Sequence, residues 1–195
     1  PDLLAMGATV SVNVVEKVQS LLKQIAFETG ETVDLARLNR DHLVFINQVP
    51  GAHRLRAVSA VGDSFPLHCT ANGKAVLAQL PDADLSMHFR QQMQRYTPNT
   101  MTKPADLSRE IRKIHKSGIA YDMEEHTIGI CAVGAAACDR ANQLYAISIP
   151  VPSARFKQNR STRRSTLLRV CFVVASGLLR FCFAATNLAA SFPAD

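Results

Sequence analysis

Hydrophobic positions along this chain recur first at a helical period, then in short strand-like runs, and then repeat that alternation once more. In "VSVNVVEKVQSLLKQIAFETG" the residues Val14, Val18, Leu21, Leu22, Ile25 and Ala26 return every three or four positions, and Gly30 closes the run as a C-terminal cap. The spacing predicts an amphipathic helix over 10–30. Beyond it "TVDLARL", "HLVFINQV" and "HRLRAV" are short, rich in branched and apolar residues, and separated by "NRD" and "PGA", the pattern of an antiparallel meander.

A second helical group follows. In "PLHCTANGKAVLAQL", Pro66 ends the preceding run, Thr70 is a capping residue, and 71–80 form a helix that stops before Pro81. Residues 81–96 form the next helix, with Asp82 and Asp84 at its positive end. In "TKPADLSREIRKIHKSG" a third helix sets Leu107, Ile111 and Ile114 on one face and ends at Gly118. "IAYDMEEH", "IGICAVGAAAC" and "QLYAISIPV" then return to strand, with "DRAN" as a turn. Strands on both sides of a helical insert predict an α+β fold with helices covering an antiparallel sheet.

With 195 residues the chain is expected to hold one domain, over 1–160, followed by a basic and apolar tail over 161–195, part of it helical. The net charge of +6 is concentrated late: Arg155, Lys157, Arg160, Arg163, Arg164, Arg169 and Arg180 face a single acid, Asp195. No aromatic interleaving or reading motif accompanies these charges, so direct nucleic-acid binding is not expected. The most apolar stretch carries Arg169 and Arg180, which argues against a membrane span. Five cysteines without a C-x-x-C pair suggest neither a disulfide framework nor a zinc site, and fit a reducing cytoplasm.

Several residues invite a chemical role. Lys74 follows Gly73 as in a phosphate loop, but Ala75 stands where such a loop needs Ser or Thr. The amides of Asn72 and Gly73, in the first turn of a helix, suit an anion such as a carboxylate. Cys69 and His68 are neighbours that would point to opposite faces of a strand, so a buried thiol is expected. Cys131, Cys138, His126 and His68 lack metal-ligand spacing, and no metal or other cofactor is expected. Glu124 and Glu125 read as a solvated acidic turn, whereas Asp122, after Tyr121 in an apolar strand, is placed to hydrogen-bond a ligand. Ser148 faces away from Ile147 and Ile149, without the elbow of a hydrolase nucleophile. Arg54 and Arg56 would share one strand face, leaving His53, Leu55 and Ala57 on the other.

Taken together, "TGETVDLARL", "PLHCTANGKAVLAQL", "EIRKIHKSGIAYDMEEHTIGICAVGAAACD" and "AISIPVPSARF" resemble the effector-binding half of the IclR family of bacterial transcription regulators, in that family's order and spacing from about residue 10 to residue 157. The resemblance implies a GAF-like domain: a curved antiparallel sheet of about six strands flanked by helices, with a small-molecule pocket on its concave side. It implies an effector-binding site formed by Ala57, Ala71, Asn72, Gly73, Asp122, Ile130, Ala132, Ser148 and Pro150, and no catalytic residue. Some members carry cysteine where Ala132 stands and serine where Pro150 stands. A less polar pocket follows, suited to an apolar, aromatic acid over a small keto acid.

The same resemblance implies a homodimer or homotetramer, a cytoplasmic location and no membrane partner. Operator DNA would be reached only through a winged helix-turn-helix domain, for which residues 1–30 leave no room. Residues 161–195 also depart from the amphipathic helix with which the family usually finishes. Two rivals stand beside the sensor: a hydrolase or acyl-transfer enzyme using Cys69 or Cys131 with a histidine, and a dimerisation module whose pocket is filled by its own side chains.

Overall fold

The computed structural model describes residues 3–57, 59–90, 92–156 and 180–181. Helix α1 (Leu3–Thr29) is 27 residues long, starting earlier than the periodicity alone marks, and its Val14, Val18, Leu22 and Ile25 are buried. Gly30, at φ +69°, turns the chain out of it. Strands β1 (Val33–Asn39) and β2 (His42–Val49) form a hairpin with a register shift between Leu35 and Ala36. The third strand is not "HRLRAV". Residues 53–57 form an irregular loop, and the segment that pairs with β2 is β3 (Ser64–Pro66).

Helix α2 (Ala71–Leu77) is shorter than the expected 71–80, and α3 (Asp82–Arg90) ends well before residue 96. Helix α4 (Pro104–Ser117) buries Leu107, Ile111 and Ile114 and ends in Gly118, at φ +72°, a left-handed cap conformation that glycine adopts without steric cost. Strands β4 (Ala120–Met123), β5 (Ile130–Cys138) and β6 (Leu144–Pro152) follow, then a single helical turn, α5 (Ser153–Phe156). A two-residue strand, β7 (Arg180–Phe181), pairs with the end of β5. The expected helical content of the tail otherwise lies outside the described residues.

The sheet runs β3-β2-β1-β6-β5-β4, and all its pairings are antiparallel. Because side chains alternate, the sheet divides the protein into two cores. One face sends Val33, Leu35, Val133, Ile147 and Ile149 against α1. The other sends Ala36, Leu43, Phe45, Ala120, Ala136 and Ala146 against α2 and α4. Arg155 of α5 grips the fully buried Glu31 with two parallel hydrogen bonds of 2.9 and 2.8 Å, tying the end of β6 to the α1–β1 junction.

Candidate functional site

Small residues on the α2 face of the sheet make room for a cavity. One row across the strands reads Ala120, Gly134, Ser148, Asp34 and Gln48; the next reads Asp122, Ala132 and Pro150. Gly134 sets the height of the helix above them. A Cβ there would stand 2.9 Å from the Asn72 nitrogen and 3.0 Å from the Ala71 carbonyl carbon, so only glycine lets the start of α2 rest on the sheet.

Where α2 begins, the sheet curls away beneath it and leaves a cavity of about 360 Å³. Of the residues expected to form the site, Ala57, Ala71, Asn72, Asp122, Ile130, Ala132, Ser148 and Pro150 line this one space. Gly73 does not. Its amide is held by Thr70 Oγ1 and Asn72 Oδ1, both at 3.1 Å, and its α-carbon faces the Leu67 backbone. The anion-binding amide expected at Gly73 is thus spent on the helix cap itself. Ala57 reaches the cavity from the irregular 53–57 loop, not from a strand; there its carbonyl accepts a hydrogen bond from Thr32.

Other lining residues went unrecognised in the sequence. Phe45 and Phe65 form an aromatic wall with ring centroids 4.7 Å apart, and His126 extends it, 5.0 Å from Phe65. Phe65 comes from β3 and His126 from the β4–β5 connection, so their contact joins the two edges of the curled sheet. Arg56 and Ser59 descend from the loop before β3. Asp34 is the largest omission. It is 2% exposed, and its carboxylate accepts from Gln48 Nε2 at 2.8 Å and Ser59 Oγ at 3.2 Å. An aspartate sharing a strand face with Ala36 was the available signal.

Two carboxyl groups therefore border the cavity, and both are hard to ionise. Burial pushes Asp34 up to about 6 despite the two donors, and pushes Asp122 up to about 7 despite a 2.7 Å hydrogen bond from the Glu125 amide. Burial also holds His126 below the usual histidine range, with nearby His68 adding to the effect. The Ser148 hydroxyl and the Asn72 side-chain nitrogen make no hydrogen bond among the described residues, although both residues are nearly buried. Both atoms open onto the cavity without a protein partner among the described residues, so they are sites for a guest.

Glu125 is not the solvated residue expected. It is buried and ion-paired to the fully buried Lys74 of α2, while Thr97 and Thr100 hydrogen-bond its carbonyl. Glu124 is partly exposed and accepts from the Gly129 amide. The Lys74–Glu125 pair clamps α2 to the end of β4, on which Asp122 sits. The thiol candidates do not form a catalytic pair. Burial pushes Cys69 up to about 12, the Asp122 and Glu125 charges adding to it, and Cys131 packs on the opposite face of the sheet against α1. For the same reason Cys131 and His126 do not converge. No helix among the described residues is long and apolar enough to cross a membrane.

A family model described as bacterial transcriptional regulator IclR, C-terminal, matches residues 6–173. An HTH-type transcriptional regulator of Mycobacterium tuberculosis is 45% identical over 156 residues, which is 80% of this chain and 60% of that protein. The crystal structure of the Thermotoga maritima IclR superposes with a TM-score of 0.78 at 32% identity, covering 86% of this chain and 70% of that one. An IclR homolog from Microbacterium hydrocarbonoxydans, solved in complex with 4-hydroxybenzoate, shares the fold at a TM-score of 0.74 and 16% identity, covering 82% of this chain and 65% of that one. The named relatives are transcriptional regulators and repressors rather than enzymes. This chain spans 60% of the length of the mycobacterial relative. A GAF-like sheet with a cavity beneath α2, together with these matches, places the chain in the IclR family, as the C-terminal effector-binding domain of a bacterial transcriptional regulator.

Proposed function

We propose that the cavity beneath α2 takes a small, largely apolar organic acid, aromatic by preference. Binding would shift the arrangement of subunits in a cytoplasmic homodimer or homotetramer. Through the DNA-binding domains of an intact regulator, that shift would change how operator DNA is held. One observation carries this reading: Asn72 and Ser148 present unpartnered polar atoms to a cavity of about 360 Å³, within the size range of small-molecule sites. The Phe45, Phe65 and His126 rings offer an apolar wall for a ring or short chain. The 4-hydroxybenzoate held by the Microbacterium homolog supports an aromatic acid as the class.

Two carboxyl groups in the same space oppose an anion, and the proton resolves the conflict. Asp122, raised to about 7, is protonated in part at neutral pH, and as an acid it donates a hydrogen bond to a ligand carboxylate. Arg56 supplies a cation on the cavity wall. Ligand binding is then accompanied by proton uptake. For ligand occupancy to regulate, one subunit arrangement must bind the acid more tightly than the other. Phe27, 90% exposed on α1, is an apolar surface suited to a subunit contact.

The test is a thermal-shift panel of benzoate, 4-hydroxybenzoate and short aliphatic acids on folded protein. A ligand at a hundred times its Kd stabilises by about 2.7 kcal/mol, an easily measured rise. Asn72→Asp keeps the Oδ1 acceptor for the Gly73 amide and replaces the donor with like charge, so the shift should vanish. A panel without any shift, from protein that also carries no co-purified acid by mass spectrometry, refutes the acid reading. An unchanged shift in Asn72→Asp removes that residue from the site.

A further inference from the structure

Asp34 stands at the other side of the cavity from Asp122. Its strand, β1, lies three strand steps from β4, about 14 Å along the curled sheet at ordinary inter-strand spacing. An ionised carboxylate offers about four acceptor positions, and Gln48 and Ser59 occupy two of them. No cationic side chain among the described residues pairs with it, although it is 2% exposed and borders the cavity. Buried carboxylates are ordinarily met by a cation or by a full set of donors. Asp34 has neither, and it borders the cavity with acceptor positions unused.

We infer that Asp34 contacts the ligand directly, and that the ligand carries a hydrogen-bond donor, a hydroxyl or amino group, remote from its carboxylate. The ligand is thus bifunctional: an acid end near Asn72 and Asp122, and a donor end at β1, on the other side of the cavity. Ser148, paired with Asp34 across β1 and β6, is close enough to serve the same donor group. Gln48 and Ser59 hold the carboxylate in place, so Asp34 acts as a preset acceptor that discriminates between acids of equal size and shape. The acid end rests on the reading proposed above; the donor end does not.

The experiment measures Kd by calorimetry for pairs of acids that differ only in the donor: 4-(hydroxymethyl)benzoate against 4-ethylbenzoate, and 6-hydroxyhexanoate against heptanoate. A hydrogen bond to a charged, buried acceptor is worth about tenfold or more in affinity, because the donorless analogue leaves that acceptor unmet. The hydroxyl member should bind about tenfold more tightly to the unaltered chain, and the preference should disappear in Asp34→Ala, while the donorless acids bind the variant at least as well. Asp34→Asn, of the same shape, covers the case in which the alanine variant does not fold; its neutral acceptor should reduce the preference several-fold. Benzyl alcohol against its isomer anisole provides a neutral pair. If no acid binds but benzyl alcohol does so in an Asp34-dependent way, the donor site stands and the acid reading falls. Equal affinity within the acid pairs and the neutral pair, a preference that survives in folded Asp34→Ala, or no binding by any probe overturns the proposal.

Discussion

Replacing Asp122 by asparagine should stabilise the protein, and increasingly so as pH rises. The carboxyl has its folded pKa raised from 3.8 to about 7, chiefly by burial. Between those values the native state keeps a proton that the unfolded chain releases, so this group's contribution to stability is fully present below 3.8 and is lost as pH rises through about 7. One pKa unit corresponds to about 1.4 kcal/mol, and the two pH units from 5 to 7 therefore withdraw about 2 kcal/mol from the unaltered chain. Asparagine retains an Oδ1 acceptor for the Glu125 amide, does not titrate, and loses nothing over that range. Urea melts at pH 5, 6, 7 and 8 would measure the difference between the two proteins. It should grow by about 2 kcal/mol from pH 5 to pH 7, or roughly 4–8 °C in Tm for a chain of this size. Asp34, raised to about 6, titrates in both proteins and cancels in the comparison. A stability difference flat with pH would refute the claim that this carboxyl is held protonated by its burial. The result has a functional counterpart: a site that lowers stability at neutral pH is one kept for binding and not for folding.

Two further substitutions probe the frame around the cavity. Gly134→Val would drive a branched side chain into the Ala71 and Asn72 backbone, so chemical denaturation should register a loss of about 1–3 kcal/mol and acid binding should fail; an unaffected melt would mean that α2 does not rest on this glycine. Lys74→Met leaves Glu125 buried without its cation, at a cost of about 3–5 kcal/mol in urea unfolding, whereas Lys74→Met combined with Glu125→Gln should recover a good part of it; equal losses in the single and double variants would show that the clamp is not electrostatic.

Particular residues mark the limits of what local pattern conveys. Thr70 was recognisable as a cap because its hydroxyl accepts the capping bond from an amide only three residues on, and Gly118 because a glycine ends a run of amphipathic period. Eight of the nine residues expected from the family resemblance line one cavity, yet the ninth, Gly73, turns its amide into the cap. "HRLRAV" has the composition of a strand, but β3 occupies the place beside β2, and residues 53–57 form an irregular loop from which Arg56 and Ala57 line the cavity. Glu125 lies in an acidic run that reads as solvated; its burial depends on Lys74, 51 residues away. Asp34 and Phe45 share the β1–β2 hairpin, but Phe65 and His126 come from distant segments, and no spacing rule links the four.

The amino-acid order determined whatever depends on neighbours within a turn or two: the helical and strand periods, the caps, the alternation that splits the sheet into two cores, and the motifs that carry the family resemblance. Those signals are local because hydrogen bonds to the backbone and side-chain alternation act over a few residues. The tertiary structure alone decided that the sheet curls until Phe65 meets His126, that the start of α2 settles on Gly134, and that Asp34 and Asp122 share one low-dielectric space. Burial is a property of the assembled whole, and with it come the raised pKa values and the unmet acceptor from which the character of the guest is inferred.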